Sequence, residues 1–242
     1  MNKSNGLLVL FTFVLLGLLL AMSGCAEKTP KYGVEQQLEL ATRPGEIWAV
    51  APAINLSGYG SVDPLLQADL LYGQLQQVRG LTVIPVNRVA EVYATLKIER
   101  IQSEQQAALV CEMLGADRLI VPTITAYDPY VPPKIGASLQ VLSRPEHWVR
   151  PASVDPRELA RSAAPSEVDS LPSAPNFVQA VGMFDAANGS VRDALLRYAA
   201  GRNDPVGPMG PKEYLASIDR YCGFVYHELI EQVIARVANG KK

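Results

Sequence analysis

The sequence predicts an α/β protein, a mixed-sheet α/β sandwich with the element order βαβααββ-insert-βαα. Three observations lead to this fold class. In the first half of the chain, short apolar runs typical of buried strands alternate with amphipathic segments of helical spacing. Two strand-like segments then follow one another without a helix between them. After a proline-rich stretch, one more strand precedes two helices. This order favours parallel early strands joined by crossover helices, and antiparallel late strands.

Five apolar segments carry the predicted strands. The first, over residues 46–54 (EIWAVAPAI), is expected to end or bulge at Pro52, because proline removes one ladder donor. The other four predicted strands span residues 81–86, 119–126, 134–142 and 177–184. Of these, the 134–142 segment alternates apolar and other residues, which predicts a half-buried strand.

Capping residues and apolar spacing predict the helices. Asp63 and Pro64 begin a helix that ends near Val78, since aspartate is a favoured N-cap and proline a favoured first residue. Pro211 begins the last and longest helix, which extends to Asn239. The other predicted helix starts are Asn87, a capping box of Ser103 with Gln106, and Asn188.

Two cysteines and one histidine fall on these helices. Cys111 and Cys222 lie in apolar stripes and are predicted to be buried thiols, with a disulfide between them as the alternative in an oxidising compartment. His227 falls beside the stripe of the last helix and is expected to be solvated.

Composition and motifs argue against several functions. The formal net charge is −2 and the pI about 5.8, without the basic patch that nucleic acids require. The three cysteines and two histidines match no metal-ligand spacing. Neither a glycine-rich phosphate loop nor a G-x-S-x-G elbow is present. We therefore predict no catalytic residues, no metal and no cofactor, and a protein that is not an enzyme.

The first residues form an apolar leader. Leu7 to Met22 would span only ~24 Å as a helix of about 16 residues, short of the ~30 Å hydrocarbon core. Small residues then precede Cys25, as in a cleavable secretory signal. The alternative is an uncleaved signal anchor.

The end of this leader, Met22-Ser23-Gly24-Cys25, resembles a bacterial lipobox. The resemblance implies that Cys25 becomes the first mature residue and carries lipid (palmitate or similar acyl chains) that anchors it in a bilayer. The next residue, Ala26, is not aspartate, which by the same resemblance implies the outer membrane, facing the periplasm. The predicted organisation is a signal peptide (1–24), a tether (25–45) and one α/β domain (46–240) with a proline-rich insert (143–176).

The segment between the third and fourth strands is the candidate contact surface. It holds tyrosines and prolines, and tyrosine is favoured at interface anchors. The alternative is a loop packed over the sheet edge. Asp128 is predicted to form an Asx turn before Pro129. The side chains predicted to contact a partner are Tyr127, Tyr130, Val131 and Ile135.

The order of strands and turns resembles a known periplasmic module. The segments that carry the resemblance are Ile47–Pro52, Asn55 with Ser57-Gly58, Ala68-Asp69-Leu70, Leu81–Arg88, Ala108–Asp117 and Leu119–Thr123. They are similar to the domain shared by the curli-secretion lipoprotein CsgG, the amino-terminal domain of TolB and the outer-membrane activators of penicillin-binding proteins. The resemblance implies a lipid-anchored protein that acts in binding or assembly, without catalysis.

The sequence therefore predicts a non-catalytic scaffold or accessory factor in envelope assembly or export, with envelope proteins as partners and its oligomeric state open. A regulator of cell-wall synthesis and a subunit of a secretion channel are the alternatives.

Overall fold

The computed structural model describes residues 38–40, 45–144, 177–202 and 207–239. Six strands in these residues form one mixed sheet with the order β3-β1-β4-β5-β6, and β2 pairs with β4 beside this path. The strands are β1 (Glu46–Val50), β2 (Ile54–Asn55), β3 (Leu81–Ile84), β4 (Arg118–Asp128), β5 (Lys134–Ser143) and β6 (Phe177–Asp185). The predicted α/β mixed sheet is confirmed.

The sheet changes from parallel to antiparallel at β4. Strand β1 pairs in parallel with β3 and with β4, whereas β4, β5 and β6 form an antiparallel meander. The expected interruption at Pro52 is confirmed, because β1 ends at Val50 and parallel pairing with β4 resumes at Ile54 in β2. Consequently the loops after β2, after β4 and after β6 all lie at one edge of the sheet.

Helices cover both faces of the sheet in the described residues. Their bounds are α1 (Pro64–Leu75), α2 (Val86–Leu96), α3 (Glu104–Leu114), α4 (Gly189–Ala199), α5 (Glu213–Ala216) and α6 (Ile218–Asn239). A short 3₁₀ turn, Gly210–Lys212, precedes α5. None of the helices in the described residues combines the length and the hydropathy needed to cross a membrane.

Two apolar cores lie on opposite faces. The larger packs α1, α4 and α6 against the inward residues of β5 and β6, including Leu139 and Ala180. The smaller packs α2 and α3 against Ala49, Leu119 and Val121. Leu40 also enters the larger core and donates its N–H to the Arg79 carbonyl at 2.9 Å. Residues 38–40 of the predicted tether are thus attached to the domain.

Two predicted helix starts were wrong. Helix α2 begins at Val86, with Pro85 in the N-cap position, and not after Asn87. The predicted last helix is broken at Ser217, which is extended (φ −113°, ψ 116°). The Ser217 carbonyl accepts from the Tyr221 N–H at 3.0 Å, so this serine begins α6 rather than continuing α5.

The predicted caps at Asp63, Ser103 and Asn188 are confirmed. The capping box is only half formed, because the Gln106 side chain accepts from the Gln102 N–H instead of the Ser103 N–H. The predictions for the leader, for Cys25 and for nearly all of the insert lie outside the described residues.

Candidate functional site

Exposed apolar side chains lie on the segments that follow β2 and β4, toward one edge of the sheet. Parallel strands that end together bring their following loops together, and ligands or partners often bind at such an edge. The exposed apolar side chains on these loops, or on the first turn of the helix that leaves them, are Leu56, Leu65, Leu66, Tyr130 and Val131. We call these five residues the apolar edge.

The loop after β2 is held by its own polar side chains. The Asn55 side-chain oxygen accepts from the Ser57 N–H at 3.0 Å and from the Ser57 hydroxyl at 2.7 Å, and its amide nitrogen donates to the Tyr59 carbonyl. Asp63 Oδ1 accepts from the Leu65 N–H at 2.8 Å and caps α1. These bonds hold the loop in a conformation that leaves the Leu56 side chain exposed. It is 62% exposed.

The hairpin between β4 and β5 presents the two most exposed apolar side chains of the described residues. Tyr130 is 74% and Val131 69% exposed. The Asx turn predicted at Asp128 is confirmed, since its Oδ1 accepts from the Tyr130 N–H at 3.1 Å. The Pro133 carbonyl also accepts from the Ala186 N–H at 3.0 Å, which ties the hairpin to the end of β6. A fixed hairpin loses less conformational entropy when a partner binds it.

The other two predicted contact residues do not belong to this exposed surface. Ile135 is 1% exposed, because strand alternation places it on the inward face with Ala137 and Leu139. Tyr127 is half-buried and its ring lies 5.5 Å from the ring of Tyr59. Burial raises the pKa of Tyr127 to about 12. Tyr127 therefore packs against the loop that follows β2.

Sequence reasoning missed the leucines of the apolar edge and the outer face of β6. Val181 and Met183 are 57% and 54% exposed on the face opposite the buried Ala180. Their alternation with Ala180 and Phe184 was readable in the sequence, but that pattern does not tell which face a helix covers. Leu65 and Leu66 occupy the first turn of α1, where only later residues of the helix reach the core.

The histidine and the two cysteine thiols in the described residues are buried. His227 was predicted to be solvated, but this was wrong, since it is 5% exposed and its ring lies 5.0 Å from the Tyr198 ring. Burial, assisted by the nearby Arg202 charge, lowers the pKa of His227 to about 4. A neutral, enclosed imidazole is the better description.

The prediction of buried thiols is confirmed. Cys111 and Cys222 are free, and burial raises the pKa of each to about 12. They belong to the two cores on opposite faces of the sheet, so they form no disulfide. Among residues 38–40, 45–144, 177–202 and 207–239, no group of three potential ligands is placed to hold a metal ion.

Burial of His227 predicts a pH-dependent stability. Unfolded chains bind a proton at this histidine near pH 6.5, whereas the folded chain does so only near pH 4. Between these values the unfolded state holds more protons, so the free energy of unfolding falls as the pH is lowered. We expect His227 to account for a loss on the order of 3 kcal/mol at pH 4, measured by urea denaturation at a series of pH values.

A His227→Gln variant isolates this contribution. Its free energy of unfolding should decline less than that of the native chain between pH 6.5 and pH 4, because all other titrating groups are shared. Parallel curves for the two proteins would contradict the buried, neutral state of His227.

No protein-family model matches the chain, and no curated protein matches it. Solved structures do. The LpoB C-terminal domain from Salmonella enterica is 14% identical, with 43% of this chain and 75% of that chain covered and a TM-score of 0.35. The lipoprotein GNA1162 from Neisseria meningitidis is 17% identical (40% and 69% covered, TM-score 0.30). The PelC dodecamer from Paraburkholderia phytofirmans is 8% identical (80% and 90% covered, TM-score 0.35).

These identities and TM-scores are too low to transfer a function or an assembly to this chain. None of the three structures is named as CsgG or TolB, so that part of the resemblance stays a prediction.

Proposed function

We propose that this chain is an outer-membrane lipoprotein that acts without catalysis, as an accessory factor that binds another envelope protein through its apolar edge. The observation that carries the proposal is the exposure of Tyr130 and Val131 at the tip of the hairpin between β4 and β5. Membrane attachment rests on the lipobox-like Met22–Cys25 of the sequence.

The composition of the apolar edge suits protein binding. Interface centres are enriched in aromatic side chains and depleted of charge, with polar residues at the rim. Here Tyr130 provides the aromatic side chain, and a Lys134–Asp185 ion pair at 3.7 Å lies at the margin. A partner that fits would offer a complementary apolar pocket large enough for a tyrosine ring.

A Tyr130→Ala variant tests the surface. Removing a central tyrosine from an interface costs about 2 kcal/mol, which is roughly a thirtyfold loss of affinity. Because Tyr130 is 74% exposed, the same change should alter the free energy of unfolding by no more than about 0.5 kcal/mol. The readout is the amount of partner recovered by crosslinking and pull-down from membranes, quantified beside the native chain.

Met113→Ala is the matched control. Met113 is also an exposed apolar residue, but it ends α3 near the start of β4, at the opposite edge of the sheet. Partner recovery should be unchanged in this variant. Equal recovery with Tyr130→Ala and with the native chain would rule out the apolar edge as the contact surface, and recovery of no partner at all would count against the accessory role.

The identity of the captured partner separates the functions that the sequence left open. A cell-wall synthase would favour the regulator of cell-wall synthesis, and an export component would favour assembly or export. Stable rings of the chain itself in detergent would favour the channel subunit.

A further inference from the structure

A cavity of about 440 Å³ lies on the helical side of the molecule, where α1, α4, α5 and the first turns of α6 meet. It is separate from the apolar edge. The residues that line it are Leu70, Gln74, Gln77, Tyr198, Arg202, Tyr214, Asp219, Arg220 and Gly223. The volume is in the range of sites that hold a small molecule or one side chain of a peptide.

Tyr198 and Tyr214 form a fixed aromatic wall of this cavity. Their rings lie 5.5 Å apart in an edge-to-face arrangement of 86°. The Tyr198 hydroxyl donates to Gln74 Oε1 at 3.1 Å, which fixes the orientation of its ring. The wall therefore offers a rigid surface to the aliphatic part of a ligand.

Arg202 supplies a cation whose hydrogen bonding is incomplete. Its guanidinium carbon lies 4.2 Å from the centroid of the Tyr198 ring, and Nη1 donates to the Tyr198 carbonyl at 2.7 Å. Its Nε is buried and has no hydrogen-bond partner among the residues that the structure describes. A buried donor left without an acceptor is energetically unfavourable. Arg202 also lines the cavity, so its positive charge favours an anion bound there.

The remaining charges restrict the kind of anion. Arg220 is already engaged, because its Nη1 lies 2.6 Å from Glu213 Oε1. Asp219 adds a negative charge to the lining. A guanidinium group suits a planar carboxylate, which it can bind through two parallel hydrogen bonds.

We propose that this cavity binds the carboxylate of an acidic ligand, with Arg202 on the carboxylate and the Tyr198–Tyr214 wall on the aliphatic part. Two kinds of ligand carry such a carboxylate: a peptide with a glutamate side chain, and a free dicarboxylate.

The test is a titration of the full-length chain in detergent micelles, labelled with ¹⁵N in arginine. The probes are acetyl-Gly-Glu-Gly-amide, glutarate, and acetyl-Gly-Gln-Gly-amide as the neutral control. We expect the two carboxylate probes to shift the Arg202 Nε–H resonance with a Kd of about 1 mM, and the glutamine peptide to leave it in place. The tighter of the two carboxylate probes identifies the source.

Two variants make the assignment specific. Arg202→Lys keeps the charge but lacks the fork, so affinity, followed then through ¹³C-labelled tyrosine rings, should fall by about tenfold. Asp219→Asn removes the repulsion and should tighten binding by about threefold. No shift of the Arg202 resonance by either carboxylate probe, or tighter binding of inorganic phosphate than of glutarate, would overturn the proposal. So would an Arg202→Lys chain that folds and binds as well as the native one.

Discussion

A Cys25→Ala variant is expected to lose lipid attachment completely. Acylation needs the thiolate of a cysteine, and alanine offers no nucleophile to the lipid donor. Each buried CH₂ of an acyl chain contributes about 0.8 kcal/mol to membrane binding, so losing several chains removes stable anchoring. By the lipobox resemblance, the variant should also keep its leader. The measurement is mass spectrometry of the amino-terminal peptide. The native chain should begin at Cys25 and carry added acyl mass. The variant should begin before residue 25 and lack that mass.

Cys111→Ala provides the matched control for this experiment. It also removes one thiol, but Cys111 is 1% exposed and burial raises the pKa of its thiol to about 12, so it is not available to a lipid donor. Acyl mass should remain at Cys25 in the control. A native chain without acyl mass that retains its leader would show instead that Leu7–Met22 is an uncleaved signal anchor.

The strands could be predicted from the sequence because their signal is local. Apolar runs such as Leu119–Ala126 are long enough to exclude a solvated loop, and Pro52 marks the interruption between β1 and β2 by its missing N–H. The reversal of direction at β4 follows from the short connection to β5, since parallel neighbours need a longer crossover.

The wrong predictions concern features that depend on packing between elements distant in the sequence. His227 lies off the apolar stripe of α6, yet α4 brings Tyr198 against it and encloses it. The apolar stripe of the last predicted helix runs across Ser217 without a change of spacing, so the break between α5 and α6 was not visible.

The candidate surface was predicted only in part for the same reason. Tyr130 and Val131 follow from the turn chemistry of the hairpin, whereas the position of Leu56 depends on the pairing of β2 with β4. Exposure of a strand face, as at Val181, is a property of what the other elements leave uncovered. No local pattern encodes it.

A Glu46→Ala variant is expected to lose about 3–5 kcal/mol of the free energy of unfolding, the cost of breaking a buried ion pair from one side. Glu46 is 4% exposed. Its carboxylate accepts from Arg118 Nε and Nη2, both at 3.2 Å, and from Trp48 Nε1 at 2.9 Å. Without it, the largely buried Arg118 guanidinium and the Trp48 N–H lose their acceptor. The midpoint of urea denaturation, converted with the slope of the transition, measures the loss.

Two comparisons separate the ion pair from a general effect of lost charge. Glu91→Ala removes a carboxylate that lies 3.4 Å from Arg88 with both side chains about two-thirds exposed, and it should change stability by less than about 1 kcal/mol. A Glu46→Leu/Arg118→Met double variant removes both charges and should recover much of the loss, because no buried charge is left unpaired. If Glu46→Ala cost no more than Glu91→Ala, the pair would be solvated rather than buried, and the junction of β1 and β4 would depend on apolar packing around Trp48 alone.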